Sequence, residues 1–299
     1  MYSIIKMIVS DILSFGITSS RGKNDATNKM RESILPVLSL PPTEYLAHPE
    51  YGQKWLSCSN AWNGALHEIA LKKGIVYNTT HVHLKAGRTF NYDADLSYYN
   101  NTELIDTVKI EFKKGGNSIV KLPQFLSLQV KCGLFPETYD KFYYENYIDK
   151  YIACDAEITE PKPDLALYLK CVSVINYNIL PFFSQLKARE SFFKKEKFQV
   201  VNDSITDYLN QYGEQLNLLA FSEKIRQTQT DKIFMLWSDE RFYIDMITDV
   251  EMSGMSVNSI KNGNVIEVKS GASIYNLLLR WRNHKGILNP AWQISKKIR

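Results

Sequence analysis

Two neighbouring segments of the chain place carboxylates and a lysine at alternate positions. Asp93 and Asp95 stand two residues apart in the first segment, and Glu111 and Lys113 stand two residues apart in the second. Side chains two residues apart on a β-strand lie on the same face, so each pair would share a face. Carboxylate oxygens bind hard divalent cations, and a nearby lysine can orient or deprotonate an attacking water. These residue types indicate metal-assisted hydrolysis of a phosphodiester bond.

Each residue of this set receives a role. We assign the metal ligands to Asp95 and Glu111, aided by the backbone carbonyl of Phe112. We prefer Asp95 because an apolar residue follows it directly, and Asp93 is kept as an alternate or supporting ligand. Lys113 is expected to position the water and to stabilise the charge that develops on the phosphate.

Both segments have the alternating pattern of strands. Apolar or aromatic residues occupy the positions between the charged ones, namely Phe90, Tyr92, Ala94 and Leu96 in the first segment and Val108, Ile110 and Phe112 in the second. Together with residues 75–87, they predict a β-meander joined by turns at residues 86–87 and 100–101. A hairpin of the last two strands would bring the carboxylates and the lysine together on one sheet face.

A helix before the meander supplies a further carboxylate. Residues 59–73 place an apolar stripe at helical spacing, and Gly74 is a suitable end for the helix. Glu68 lies beside this stripe, so we expect it to point toward the sheet in a half-buried position. A carboxylate there needs a cation or a hydrogen-bond donor, and Glu68 is therefore predicted to be a catalytic, metal-associated residue.

The order of these residues resembles the motif of the PD-(D/E)XK nuclease superfamily. A helical glutamate, Glu68, is followed by a strand aspartate, Asp95, and by Glu-Phe-Lys at residues 111–113. The resemblance covers roughly residues 59–130. The chain departs from the motif in having no proline before the aspartate and in offering Asp93 as a competitor.

The resemblance implies an α/β (α+β) fold, with a mixed central sheet, flanking helices and a restriction-endonuclease-like core. It also implies dependence on Mg²⁺ (or Mn²⁺) and hydrolysis of DNA or occasionally RNA. Members of the superfamily often carry a supporting glutamine on the helix after the third strand. Gln124 is the candidate here, ahead of Gln129.

A second Glu-x-Lys pattern occurs at Glu267 and Lys269, downstream of Asp245. These three residues could form a site of the same kind. No helix bearing a glutamate lies immediately upstream, so we favour surface charges on a terminal hairpin for this copy.

Basic and aromatic residues interleave near the end of the sequence. Arg280, Trp281, Arg282 and Lys285 could hold phosphates and stack a base, and Lys114 beside the predicted site completes the predicted nucleic-acid-binding set. The alternative is that the tryptophans pack in a core while the lysines face water. The formal net charge of +4 permits contact with a polyanion without requiring it.

The whole sequence has a globular composition, with 44% hydrophobic and 23% charged residues over 299 positions. The segment types predict a nuclease core with a helical insertion and a C-terminal β-rich lobe. The predicted divisions are an N-terminal arm at 1–50, a nuclease core at 51–158, a helical region at 159–230, and β-hairpins with a basic and aromatic tail at 231–299.

Cysteine usage and the N-terminal segment suggest a compartment. Four cysteines without CxxC spacing favour a reducing intracellular setting, in the cytoplasm or nucleus. The apolar residues 1–20 are interrupted by Lys6 and Asp11 and lack the run needed to cross a bilayer, so we expect no membrane partner.

Two functional hypotheses follow. The leading one is a Mg²⁺-dependent endonuclease that acts on DNA, restriction-like and borne by a virus or a mobile element. The alternative is a non-catalytic nucleic-acid-binding or structural assembly protein with a nuclease-like fold, which should tolerate loss of Glu111 and Lys113. Cleavage of palindromic DNA would require a homodimer.

Overall fold

The computed structural model describes residues 32, 34–39, 52–85, 90–174, 180–189, 195–248, 254–284 and 287–298. The chain divides into two compact units. The first contains residues 1–121 and 227–248, and the second contains residues 122–226 and 249–299. The predicted N-terminal arm lies almost wholly outside the described residues.

The first unit is built on a mixed five-stranded sheet. Its strands are β1 (Thr79–Leu84), β2 (Ala94–Asn100), β3 (Glu103–Lys114), β5 (Lys232–Ser238) and β6 (Arg241–Asp245), in the order β1-β2-β3-β5-β6. All neighbours are antiparallel except β3 and β5, which run parallel. The predicted β-meander is confirmed as β1 to β3, but β2 begins at Ala94, so Asp93 lies before the strand instead of on it. Asn101, with φ of 57°, makes the predicted turn after β2. The predicted turn at residues 86–87 lies outside the described residues.

Helix α1 (Gly52–Lys73) covers one face of this sheet. Its buried stripe includes Trp55, Trp62, Leu66 and Ile69, which pack with the apolar positions of β2, β3 and β5. The helix ends at Gly74, whose φ of 67° lets two backbone bonds close the last turn. Because α1 takes up the apolar face, the charged positions of β2 and β3 lie on the opposite face.

The second unit combines helices with an antiparallel sheet. Its strands are β4 (Leu126–Gln129), β7 (Ser256–Lys261), β8 (Val265–Ser270), β9 (Ser273–His284) and β10 (Ile287–Ile298), in the order β4-β10-β9-β8-β7. Its helices are α2 (Tyr139–Asn146), α3 (Ile148–Ala153), α4 (Leu165–Val174), α5 (Pro181–Ala188) and α6 (Lys195–Tyr212). Helix α7 (Leu218–Gln229) begins in this unit and ends in the first.

Aromatic side chains form much of the core of the second unit. Phe135 stacks on Trp292 with ring centroids 5.0 Å apart, and Tyr208 meets Tyr139 edge to face at 5.3 Å. Both arrangements are favourable for aromatic quadrupoles. The segment KFQVV at residues 197–201 lies within α6, because its buried positions fit the helical stripe of that element.

The mixed central sheet with flanking helices, the helical insertion and the C-terminal β-rich part are confirmed. The unit boundaries differ from the predicted divisions at two places. Strands β5 and β6 join the first sheet rather than the C-terminal lobe, because β5 pairs with β3. Residues 122–158 belong to the second unit rather than to the core.

No described helix is long and apolar enough to cross a membrane. All four cysteines are free thiols, and burial raises the pKa of the Cys58 thiol to about 12, with a further contribution from Glu240. The assignment to the cytoplasm or nucleus stays a prediction.

Candidate active site

Asp93 lies just before β2, at the end of the β2–β3 ladder. Ala94 pairs with Ile110, and the Asp93 backbone N–H also donates to the Ile110 carbonyl at 2.8 Å, so the regular pairing ends there. The Asp93 side chain turns back along β3, where its Oδ2 accepts the Phe112 backbone N–H at 2.8 Å. The carboxylates of Asp93 and Glu111 lie close enough for the charge of Glu111 to act on Asp93.

The surroundings of Asp93 work against its ionisation. Burial raises the pKa of the Asp93 carboxyl, and the neighbouring charge of Glu111 raises it further, although Lys113, the Phe112 N–H and Lys232 act in the other direction. A divalent cation between two such carboxylates would offset both unfavourable effects. Carboxylate oxygens are the donors that a hard cation prefers, but lysines engage both oxygens of Glu111 in this structure.

Glu111 is held by two lysines, one on each carboxylate oxygen. Lys113 forms a short ion pair with Oε1, and Lys232 donates to Oε2 at 3.0 Å. Burial alone would lower the pKa of Lys113, but the charge of Glu111 and its hydrogen bond, followed by Asp93 and Glu32, outweigh burial and raise it. Lys113 is therefore an ammonium group at neutral pH in this arrangement.

Lys232 is a site residue that the sequence analysis missed. It is the first residue of β5, and its side chain is 2% exposed. Its ammonium group also donates to the backbone carbonyl of Asn91, just before Asp93. No local motif marks this lysine, because the parallel pairing of β5 with β3 alone brings it to Glu111.

The structure places Asp95 away from Glu111, beside two other lysines. Its Oδ2 forms an ion pair with Lys85 at 2.5 Å, and its strand partner on β3 is Lys109 rather than Glu111. The contacts reverse our order of preference, because the charges of Glu111 and Lys113 act on Asp93, whereas Asp95 is paired with Lys85.

The expectation that Glu68 points toward the sheet is wrong. Its side chain is 50% exposed and forms an ion pair with Lys72, one turn further along α1. Leu66 and Ile69 on either side of it face the core, and the helical rotation between them turns Glu68 to solvent. A different helical glutamate, Glu32, acts electrostatically on Lys113.

The supporting glutamine is also placed differently. Gln124 lies on no helix, between the 3₁₀ turn Ile119–Lys121 and β4, and it belongs to the second unit. Gln129 is the last residue of β4. The helix that leads from β3 back into the first sheet is α7, whose last residue, Gln229, is buried in the first unit three residues before Lys232.

The rival set of Asp245, Glu267 and Lys269 has separate partners. Asp245 Oδ2 accepts the Ser118 hydroxyl at 2.9 Å and the Ile119 N–H at 2.7 Å, so it caps the turn that follows β3. Glu267 lies in the second unit, where its ion pair is with Lys261 on the neighbouring strand rather than with Lys269. Each carboxylate has a local structural role.

The predicted nucleic-acid-binding residues fall in both units. Lys114 is half-buried at the end of β3 in the first unit. Arg280 is exposed on β9 in the second, where Trp281 and Arg282 also lie on that strand. Lys285 is outside the described residues. Binding of nucleic acid by this set stays a prediction.

No protein-family model matches the chain, and the search of curated proteins finds no match. Within the described part of the chain, no group of three or more histidine, cysteine, aspartate or glutamate side chains is arranged to hold a metal ion. Any ion at Asp93 and Glu111 would complete its coordination with water and backbone oxygen, as Mg²⁺ commonly does.

Proposed function

We propose that this chain is a metal-dependent phosphodiesterase, a nuclease whose centre is Asp93, Glu111 and Lys113. One observation carries the proposal. Asp93, just before β2, and Glu111 and Lys113, on β3, interact through their charges, although burial and the charge of Glu111 disfavour ionisation of Asp93. Costly arrangements of this kind are concentrated at functional sites. DNA is the proposed substrate, with Mg²⁺ or Mn²⁺ as the cofactor.

Each residue has a role that follows from its contacts. Asp93 and Glu111 would hold the cation, and the Phe112 N–H fixes one Asp93 oxygen so that the other can turn to the ion. The bound ion supplies polarisation of the phosphate and a more acidic water. Lys113, which is protonated beside Glu111, orients the attacking water and stabilises the developing negative charge, so it acts as a cation rather than as a general base.

Cleavage assays on plasmid, single-stranded DNA and RNA test the proposal. We expect activity with Mg²⁺ or Mn²⁺, none with EDTA, and a loss of about 100-fold or more in Asp93→Asn and in Lys113→Met. Asp95→Asn is the matched control, because it removes a carboxylate two residues from Asp93 that is paired with Lys85 and does not contact Glu111. Undiminished cleavage by both site variants would refute the assignment, and loss only in Asp95→Asn would return the ligand role to Asp95.

A second candidate is a non-catalytic nucleic-acid-binding or assembly protein with a nuclease-like fold. The observation in its favour is that two lysines already neutralise Glu111, so the acidic pair can persist without a metal. Such a protein would bind DNA equally in Mg²⁺ and EDTA and would cleave nothing. A DNA-binding titration of the wild type and Lys113→Met alongside the cleavage assay separates the two candidates.

A further inference from the structure

The sheet of the second unit has a packed face and a partly exposed face. On the packed face Tyr275, Leu277 and Trp292 are fully buried, and Tyr275 meets Phe221 of α7 edge to face at 5.8 Å. Side chains alternate along a strand, so the neighbouring positions of β9 point to the other side, which we call the outer face. These positions are Ile274, Asn276 and Leu278, which are half-buried, and Arg280, which is exposed.

The strand register places basic residues around the outer face. Ile274 on β9 pairs with Lys269 on β8 and with Lys297 on β10, and directly opposite residues share a face. The two lysines are therefore two strands apart, at a backbone separation of about 10 Å. Arg280 lies further along β9, about 20 Å from Ile274, and its guanidinium donates to Gln293 Oε1 on β10 at 3.5 Å.

The five strands of this sheet contain a single acidic residue, Glu267 of β8. It pairs in register with Asn276, so it lies on the outer face, and its side chain is 8% exposed. Lys261 of β7 forms an ion pair with it, and this hydrogen bond lowers the pKa of Glu267 although burial acts in the other direction. The carboxylate is therefore charged at neutral pH and already neutralised by Lys261.

Three cations of the outer face remain. Lys269, Arg280 and Lys297 form no ion pair with any residue that the structure describes. Four cations against one carboxylate leave a net charge of +3 among the described strand residues of this face. The face also carries amide and hydroxyl groups, on Asn276, Gln293 and Ser295. Basic side chains accompanied by such groups are the usual contacts to phosphate and sugar oxygens of nucleic acids.

From these observations we infer that the outer face binds the phosphate backbone of duplex DNA, with Lys269, Arg280 and Lys297 each contacting a phosphate. A duplex carries one charge about every 1.7 Å of its axis, so cations spread over about 20 Å can each meet one. Phosphate contacts carry no sequence information, and binding by this face is therefore independent of base sequence. The choice of DNA as the polyanion rests on the proposed function.

The salt dependence of binding tests the inference without reference to cleavage. Full-length protein is titrated into a short fluorescent duplex in EDTA, and anisotropy gives the affinity over a series of KCl concentrations. Each phosphate contact contributes about −0.9 to the slope of log K against log[salt]. The triple variant Lys269→Met, Arg280→Met, Lys297→Met should therefore have a slope shallower than that of the wild type by about 2.7. Between about 50 and 200 mM KCl, the wild type should lose about 40-fold more affinity than this variant.

A second triple variant, Lys150→Met, Lys170→Met, Lys195→Met, is the matched control. It removes the same charge from helices α3, α4 and α6 of the same unit, so its slope should stay close to that of the wild type. Methionine keeps an apolar stem like that of lysine, and thermal unfolding establishes that both variants are folded. If the outer-face triple variant does not fold, Arg280→Met with Lys297→Met, at two exposed positions, should still make the slope shallower by about 1.8.

The outcomes separate this inference from the proposed function. No binding by the wild type, an unchanged slope in the outer-face variant, or an equal change in both triple variants overturns the inference and leaves the cleavage assay to decide the nuclease proposal. Salt-dependent binding to vesicles of phosphatidylserine and phosphatidylcholine without binding to the duplex also overturns it, because the face would then serve a lipid surface. The expected slopes without any cleavage support the DNA-binding face and refute the nuclease.

Discussion

Replacing Asp93 by asparagine should separate the effect of this carboxylate on folding stability from its effect on metal binding. The asparagine side-chain oxygen can still accept the Phe112 N–H that Asp93 accepts at 2.8 Å. The substitution removes a buried negative charge that lies beside Glu111. We therefore expect the metal-free variant to be at least as stable as the metal-free wild type. Active-site charges that are unfavourable for folding give this signature.

In the presence of metal, Asp93→Asn should be less stable than the wild type. An ion present at 100 times its Kd stabilises the wild type by about 2.7 kcal/mol, which is about 8 °C in Tm for a unit of this size. Loss of an outer-sphere partner already weakens metal binding by about 10–100-fold, and loss of a direct ligand should exceed that. The same concentration then lies near or below Kd, where stabilisation falls to about 0.4 kcal/mol or less.

Thermal and urea unfolding at neutral pH, in EDTA and in Mn²⁺, provide the measurement. Asp95→Asn is again the control, since it should lose the ion pair with Lys85 in both conditions and keep the full metal increment. The reasoning is refuted if Asp93→Asn is clearly less stable than wild type in EDTA, or if Mn²⁺ stabilises both proteins equally.

Three further predictions concern other parts of the molecule. Glu32→Gln should reduce cleavage by about tenfold, whereas Glu68→Gln, at an exposed position, should leave cleavage and stability unchanged; equal effects would show that Glu32 does not assist Lys113. Asp155→Asn should cost about 3 kcal/mol in urea unfolding, because it leaves Lys197 buried without its carboxylate, and a change under about 1 kcal/mol would contradict this. Hydrogen bonds from an arginine and Lys197 lower the pKa of Asp155, so its stabilisation is complete above about pH 5 and is lost as pH falls through the lowered value; the gap between wild type and Asp155→Asn should close in acid. Trp62→Ala should cost about 3–5 kcal/mol, since the indole is fully buried and donates to Ser39, and a small loss would mean that α1 does not cover the sheet as described.

Alternation and turn chemistry made the core of the first unit predictable. The two-residue period assigned Asp93, Asp95, Glu111 and Lys113 to one face, and the ion pair between Glu111 and Lys113 agrees with a shared face for those two residues. Gly74 ends α1 as expected, because a glycine accepts the positive φ of a helix terminus. These features depend on neighbours within a few residues, so a single sequence contains them.

Contacts between distant segments decided the rest. Lys232 reaches Glu111 from 121 positions away, and no local pattern reports that β5 will lie beside β3. The choice of Asp93 over Asp95 required the contacts of the folded chain, because the alternating pattern treats the two residues alike. The predicted direction of Glu68 was wrong because it lies at the edge of the apolar stripe, where a rotation of about 100° per residue separates core from solvent. The sequence by itself therefore determined which residue types share a sheet face, and only the tertiary structure decided which of them meet, because that depends on strand pairing over long separations.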